Sequence, residues 1–72
     1  MRCIYPFASM TSVGRASAAL TKSNIPHKIV DLDAAVTKKG CAFGIEVPKK
    51  HLDNAEKLMR QAGVRFKDHI EL

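Results

Sequence analysis

The sequence predicts an α+β domain, with four strands in one antiparallel sheet and two helices on one of its faces. Three observations predict it. Apolar residues alternate with period two over residues 41–47, they recur at helical spacing over residues 11–22 and 50–62, and the segments follow one another as strand, helix, strand, strand, helix, strand.

The first strand covers residues 2–8, where Cys3, Tyr5 and Phe7 alternate with Arg2, Ile4 and Pro6. Pro6 lacks an N–H, so a short or bulged strand is expected. Ser9-Met10-Thr11-Ser12 is a cluster of helix-capping residues. A helix follows over residues 11–22, with Val13, Ala16 and Leu20 on one stripe. Asn24 is suited to the left-handed cap that ends it, and Pro26 comes next. Ile29, Val30 and Leu32 give a second strand over residues 27–32. A loop then ends in Lys38-Lys39-Gly40. The third strand is the cleanest. Cys41, Phe43, Ile45 and Val47 alternate with Ala42, Gly44 and Glu46, and Pro48 stops it. Leu52, Ala55, Leu58, Met59 and Ala62 form the apolar stripe of a second helix over residues 50–62, capped by Gly63. Val64, Phe66, Ile70 and Leu72 alternate with Arg65, Lys67, His69 and Glu71 as a fourth strand over residues 64–72, with Asp68 out of pattern. This order is the ferredoxin-like split βαβ plan.

A chain of 72 residues is read as one domain, residues 1–72, because half of it would be too short to bury its own core. A composition of 46% hydrophobic and 26% charged residues excludes disordered and low-complexity classes. No apolar run approaches the roughly 20 residues of a membrane span, and the N-terminus lacks a secretory h-region. Two cysteines are too few for a disulfide framework, so a reducing cytoplasm with free thiols is expected. The net charge of +5 favours anionic partners. A domain this small suits a carrier, adaptor or binding module better than an enzyme, and no catalytic turnover is expected.

Cys41 is the residue with chemistry to offer. Right-handed crossovers place the third strand between the first two and antiparallel to both. Its start then lies beside the end of the first strand and the N-terminus of the first helix. Cys41 is therefore expected near Ser9, Met10, Thr11 and Ser12, with Lys38, Lys39 and Gly40 preceding it. A helix N-terminus and nearby lysines favour a thiolate. The competing reading is a small core residue on an apolar strand face. Cys3 starts the first strand at the other end of the sheet, on the order of 13–16 Å away. That is too far for a disulfide, which needs Cα atoms within about 7 Å.

The chain resembles the selenium/sulfur carrier-like proteins of bacteria over almost its whole length. The resemblance rests on Phe7-x-Ser9, Arg15-Ala16, Ile25-Pro26, the segment Gly40-Cys41-Ala42-Phe43-Gly44-Ile45-Glu46-Val47-Pro48, and Leu52 through Gly63-Val64. The family usually has Gly directly after this Cys, where Ala42 stands here. It often has a Pro-containing segment in the preceding loop, where Asp31-Leu32-Asp33 stands. The resemblance implies a sulfur or selenium carrier in which Cys41 accepts the atom as a persulfide or perselenide. Its expected partners are donor and acceptor proteins.

Two further readings compete. One is a non-catalytic module that dimerises or binds a protein through the open sheet face, where Ile4, Ala42 and Gly44 would lie. The other is an RNA-recognition domain, since Lys39-Gly40-Cys41-Ala42-Phe43-Gly44 partly resembles its RNP1 signature. That register would bury Glu46 and little apolar area, so nucleic acid is not expected. His27, His51 and His69 fall in different elements and no Cys/His spacing matches a zinc site. Neither a metal nor a cofactor is expected.

Overall fold

The computed structural model describes residues 2–32 and 43–71. Within them run β1 (Cys3–Phe7), α1 (Met10–Lys22), β2 (Lys28–Asp31), β3 (Phe43–Val47), a 3-10 turn (Lys49–His51), α2 (Leu52–Gln61) and β4 (Ile70–Glu71). The sheet order is β2-β3-β1-β4, and each neighbouring pair is antiparallel. This is the ferredoxin-like α+β arrangement. No described helix is long and apolar enough to cross a membrane.

Both helices end as their sequences require. Asn24 takes φ 58° and Gly63 takes φ 74°. Ile25 N donates to Leu20 O and Asn24 N to Thr21 O, at 2.9 and 3.0 Å. Val64 N donates to Met59 O and Gly63 N to Arg60 O, each at 3.0 Å. These are two Schellman motifs, which satisfy carbonyls that the helix leaves unpaired. The α2 boundaries differ from expectation, because residues 49–51 tighten into the 3-10 turn after Pro48.

Val13, Ala16 and Leu20 of α1 and Ala55 and Met59 of α2 pack on Tyr5, Phe7, Ile45 and Val47. All four aromatic residues belong to this core or its margin. Tyr5 and Phe7 are buried, and Phe43 and Phe66 pack against the cluster. None is left on the second sheet face as a platform for bases.

That second face departs from the simple alternation. All five β1 residues are buried, Ile4 and Pro6 included. Ile4 is 1% exposed, and the side chains of Ile4 and Leu32 crowd the space beside Gly44. Ile4 and Gly44 are thus covered within the chain itself, while Ala42 lies outside the described residues. At the rim, Arg2 Nη2 meets Glu46 Oε1 at 2.8 Å, and this hydrogen bond holds the Glu46 carboxyl below the usual carboxylate range.

Two corrections concern β1 and β4. Pro6 does not interrupt the β1–β3 ladder, which runs from Cys3↔Val47 to Phe7↔Phe43. β4 is much shorter than the residues 64–72 expected, pairing only at Cys3↔Glu71 and Ile4↔Ile70. The ladder stops before Pro6, which has no N–H to donate. The preceding segment passes Asp68 without regular pairing.

Candidate functional site

The start of α1 gathers the described part of the expected site. Ser9 is the N-cap, in extended conformation at φ −137° and ψ 150°. Its Oγ accepts from the Ser12 backbone N–H at 3.3 Å and contacts Ser12 Oγ at 3.2 Å, while its carbonyl accepts from Val13 N at 3.3 Å. Val13 is fully buried, which fixes how this turn sits on the sheet. Met10 is 53% exposed and Thr11 is exposed, so both face solvent. No acidic residue lies in this first turn, so no side chain of the turn itself offsets the positive end of the helix dipole.

The Phe7↔Phe43 pair sets the end of β1 and the start of β3 side by side, with only Ala8 and Ser9 between Phe7 and the start of α1. The structure thus brings Ser9, Met10, Thr11 and Ser12 together at that end of the sheet. Lys39, Gly40 and Cys41 lie outside the described residues, as do Lys38 and Asp33.

Sequence reasoning missed the basic side of this site. A shallow groove of about 260 Å³ runs between Phe7, Ser9 and Ser12 on one side and Arg65, Phe66 and Lys67 on the other. A second depression joins Ser12 and Arg65 to Arg15, whose Nη2 donates to the Ala62 carbonyl at 3.2 Å. The signal was present in the topology. β4 runs antiparallel to β1 with Ile4 opposite Ile70, so the chain before Ile70 must retreat toward Phe7 and α1. Ser9 and Ser12 at the start of α1 thus share these depressions with the basic residues Arg15, Arg65 and Lys67, a composition that favours an anion.

The three histidines are dispersed. His27 Nδ1 lies 2.8 Å from the Ile25 carbonyl, which only accepts, so Nδ1 carries the proton there. In the neutral ring Nε2 then accepts from Ser17 Oγ at 2.8 Å, tying α1 to the approach of β2. His51 closes the 3-10 turn. His69 stacks edge-on against Tyr5, with ring centroids 5.7 Å apart, at the opposite end of β1 from Phe7. Cys3 is a buried free thiol at that same end.

No curated protein and no solved structure matches the chain. Residues 2–71 match the family described as "Putative Se/S carrier protein-like". With that match over nearly every residue, and with the ferredoxin-like fold on the page, the chain belongs to this Se/S carrier protein-like family.

Proposed function

We propose that this protein carries sulfur or selenium on Cys41, without turnover chemistry of its own. Family membership over residues 2–71 carries the reading. In the sequence Cys41 stands two positions before Phe43, the first residue of β3. The reading is supported by what lies beside the start of β3, namely the α1 N-terminus, the Ser9 and Ser12 hydroxyls and Arg65, since such groups favour a thiolate.

The step balances simply. The Cys41 thiolate attacks the terminal sulfur of a donor persulfide, R–S–SH. A Cys41 S–S bond forms, the donor S–S bond breaks, and the donor leaves as R–S⁻. Cys41 is oxidised to the persulfide level as the donor returns to a thiolate, and the proton stays on the transferred sulfur. The selenium version follows the same path through a perselenide. Delivery to an acceptor reverses the exchange. Donor and acceptor proteins in a reducing cytoplasm are the partners of this reading.

The test is the pH dependence of iodoacetamide alkylation, with the site assigned by mass spectrometry, on the native protein and on Cys41→Ser. The expected result is fast labelling at Cys41 with an apparent pKa below the free-thiol value of about 8.5, and acceptance of sulfur from a low-molecular-weight persulfide. Cys41 that reacts only after unfolding overturns the reading.

A further inference from the structure

The end of the sheet away from α1's start holds a second constellation. Cys3 opens β1 directly opposite Glu71 of β4. Opposed residues of an antiparallel pair share a sheet face, and so does His69, two residues before Glu71. The Cys3 Sγ, a His69 ring nitrogen and a Glu71 carboxylate oxygen all lie within 4.8 Å of one another. His69 Nε2 already stands 3.5 Å from Glu71 Oε1.

We propose that Cys3, His69 and Glu71 form a binding site for a single Zn²⁺ ion, with water as the fourth ligand. The donor set is one that zinc takes, namely one thiolate, one imidazole and one carboxylate. Bonds of about 2.0–2.3 Å in tetrahedral geometry need ligand atoms roughly 3.5 Å apart. Closing from the present spacing takes about an ångström of side-chain adjustment. The His69 and Glu71 side chains are 27% and 45% exposed and have that freedom, while Cys3, 1% exposed, supplies the fixed point. The Tyr5 ring against His69 limits where the imidazole can turn. Charge also balances: a divalent ion beside one thiolate, one carboxylate and a neutral imidazole leaves no net charge in a half-buried place. Binding would release the Cys3 thiol proton to solvent. Sequence spacing hid the site because its ligands come from the two ends of the chain. The site shares no residue with the Cys41 region and stands whether or not the carrier reading does.

The test uses Co²⁺ as a spectroscopic probe for Zn²⁺, in the Cys41→Ser background so that Cys41 cannot contribute a thiolate. One equivalent of Co²⁺ should give a thiolate-to-cobalt charge-transfer band, and Zn²⁺ should abolish it by displacement. Zn²⁺ should also raise the melting temperature. Cys3 is buried and its replacement can unfold the chain, so the decisive variants are His69→Gln and Glu71→Gln. Each should weaken Co²⁺ binding at least tenfold while the far-ultraviolet circular dichroism stays unchanged. No charge-transfer band in Cys41→Ser, or undiminished binding in both His69→Gln and Glu71→Gln, overturns the proposal.

Discussion

The Tyr5 hydroxyl, on the central strand β1, donates a hydrogen bond of 2.7 Å to Oε2 of Glu56 on α2. The two residues are 51 positions apart, and this bond ties the sheet to α2. Tyr5 is fully buried, and its ring meets Phe66 edge-on at 5.6 Å. Arg60, one turn beyond Glu56, contacts its Oε1 at 3.4 Å and sits over the Phe66 ring. The sheet, α2 and the segment before β4 are thus joined through one phenol.

Burial, and then the Glu56 carboxylate, push the Tyr5 hydroxyl well above the usual phenol range. A phenol whose folded pKa is raised contributes stability that is full below its unfolded value of about 10 and is lost progressively as pH climbs from there toward the raised folded value. Stability should therefore fall above about pH 10. Tyr5 is the single tyrosine, so its near-ultraviolet tyrosinate absorbance should appear together with unfolding. Tyr5→Phe should remove this alkaline sensitivity. At neutral pH it should cost about 1.5 kcal/mol, the scale of a hydrogen bond to a charged group, read from urea denaturation.

Gly44→Ala should destabilise for steric reasons. A Cβ there would stand 2.6 Å from Ile4 Cγ2 and 3.0 Å from Leu32 Cδ1. The Leu32 methyl ends a flexible side chain, but Ile4 Cγ2 is fixed to a β-branched carbon on a central strand. The cost should be about 1–3 kcal/mol, typical of overpacking. Ile4→Ala in the same chain should make the Gly44→Ala step less costly, and a double-mutant cycle by chemical denaturation checks this.

Gly63→Ala should destabilise for a different reason. Its Cβ would meet nothing closer than Arg15 Nη2 at 3.7 Å, yet the backbone sits at φ 74°. The left-handed conformation alone should cost about 1–2 kcal/mol. Gly63→Asn should recover part of it, because Asn tolerates this region, as Asn24 does at the end of α1. Thermal melts of the two variants distinguish backbone strain from crowding.

Ser9→Ala should remove the cap that receives the Ser12 N–H, at about 1 kcal/mol of stability. With the first turn of α1 loosened, iodoacetamide labelling of Cys41 near neutral pH should slow about two- to fivefold, the scale of a helix-terminus contribution. An unchanged rate with the expected loss of stability would separate the cap from the thiol's environment.

The element order, the two apolar helix stripes, a capping cluster over residues 9–12 and the left-handed ends at Asn24 and Gly63 were legible in the sequence, while the choice of Ser9 as the cap came from the structure. Each legible feature is written within about five residues of chain, where helical or strand periodicity and capping chemistry act directly. The sequence also drew attention to Cys41, and the family match over residues 2–71 agrees with the resemblance the motifs carried. That Ile4 and Pro6 are covered emerges from packing alone, since alternation specifies a face but not what lies over it. The same is true of the late start of β4 at Ile70, because the length of an edge ladder depends on what its partner offers, and β1 offers Pro6 on that side. The same holds for Arg65 and Lys67 near Ser9, for Tyr5 on Glu56, and for Cys3 beside His69 and Glu71. These neighbours are brought together by strand register across nearly the whole chain, and no local pattern of residues encodes that.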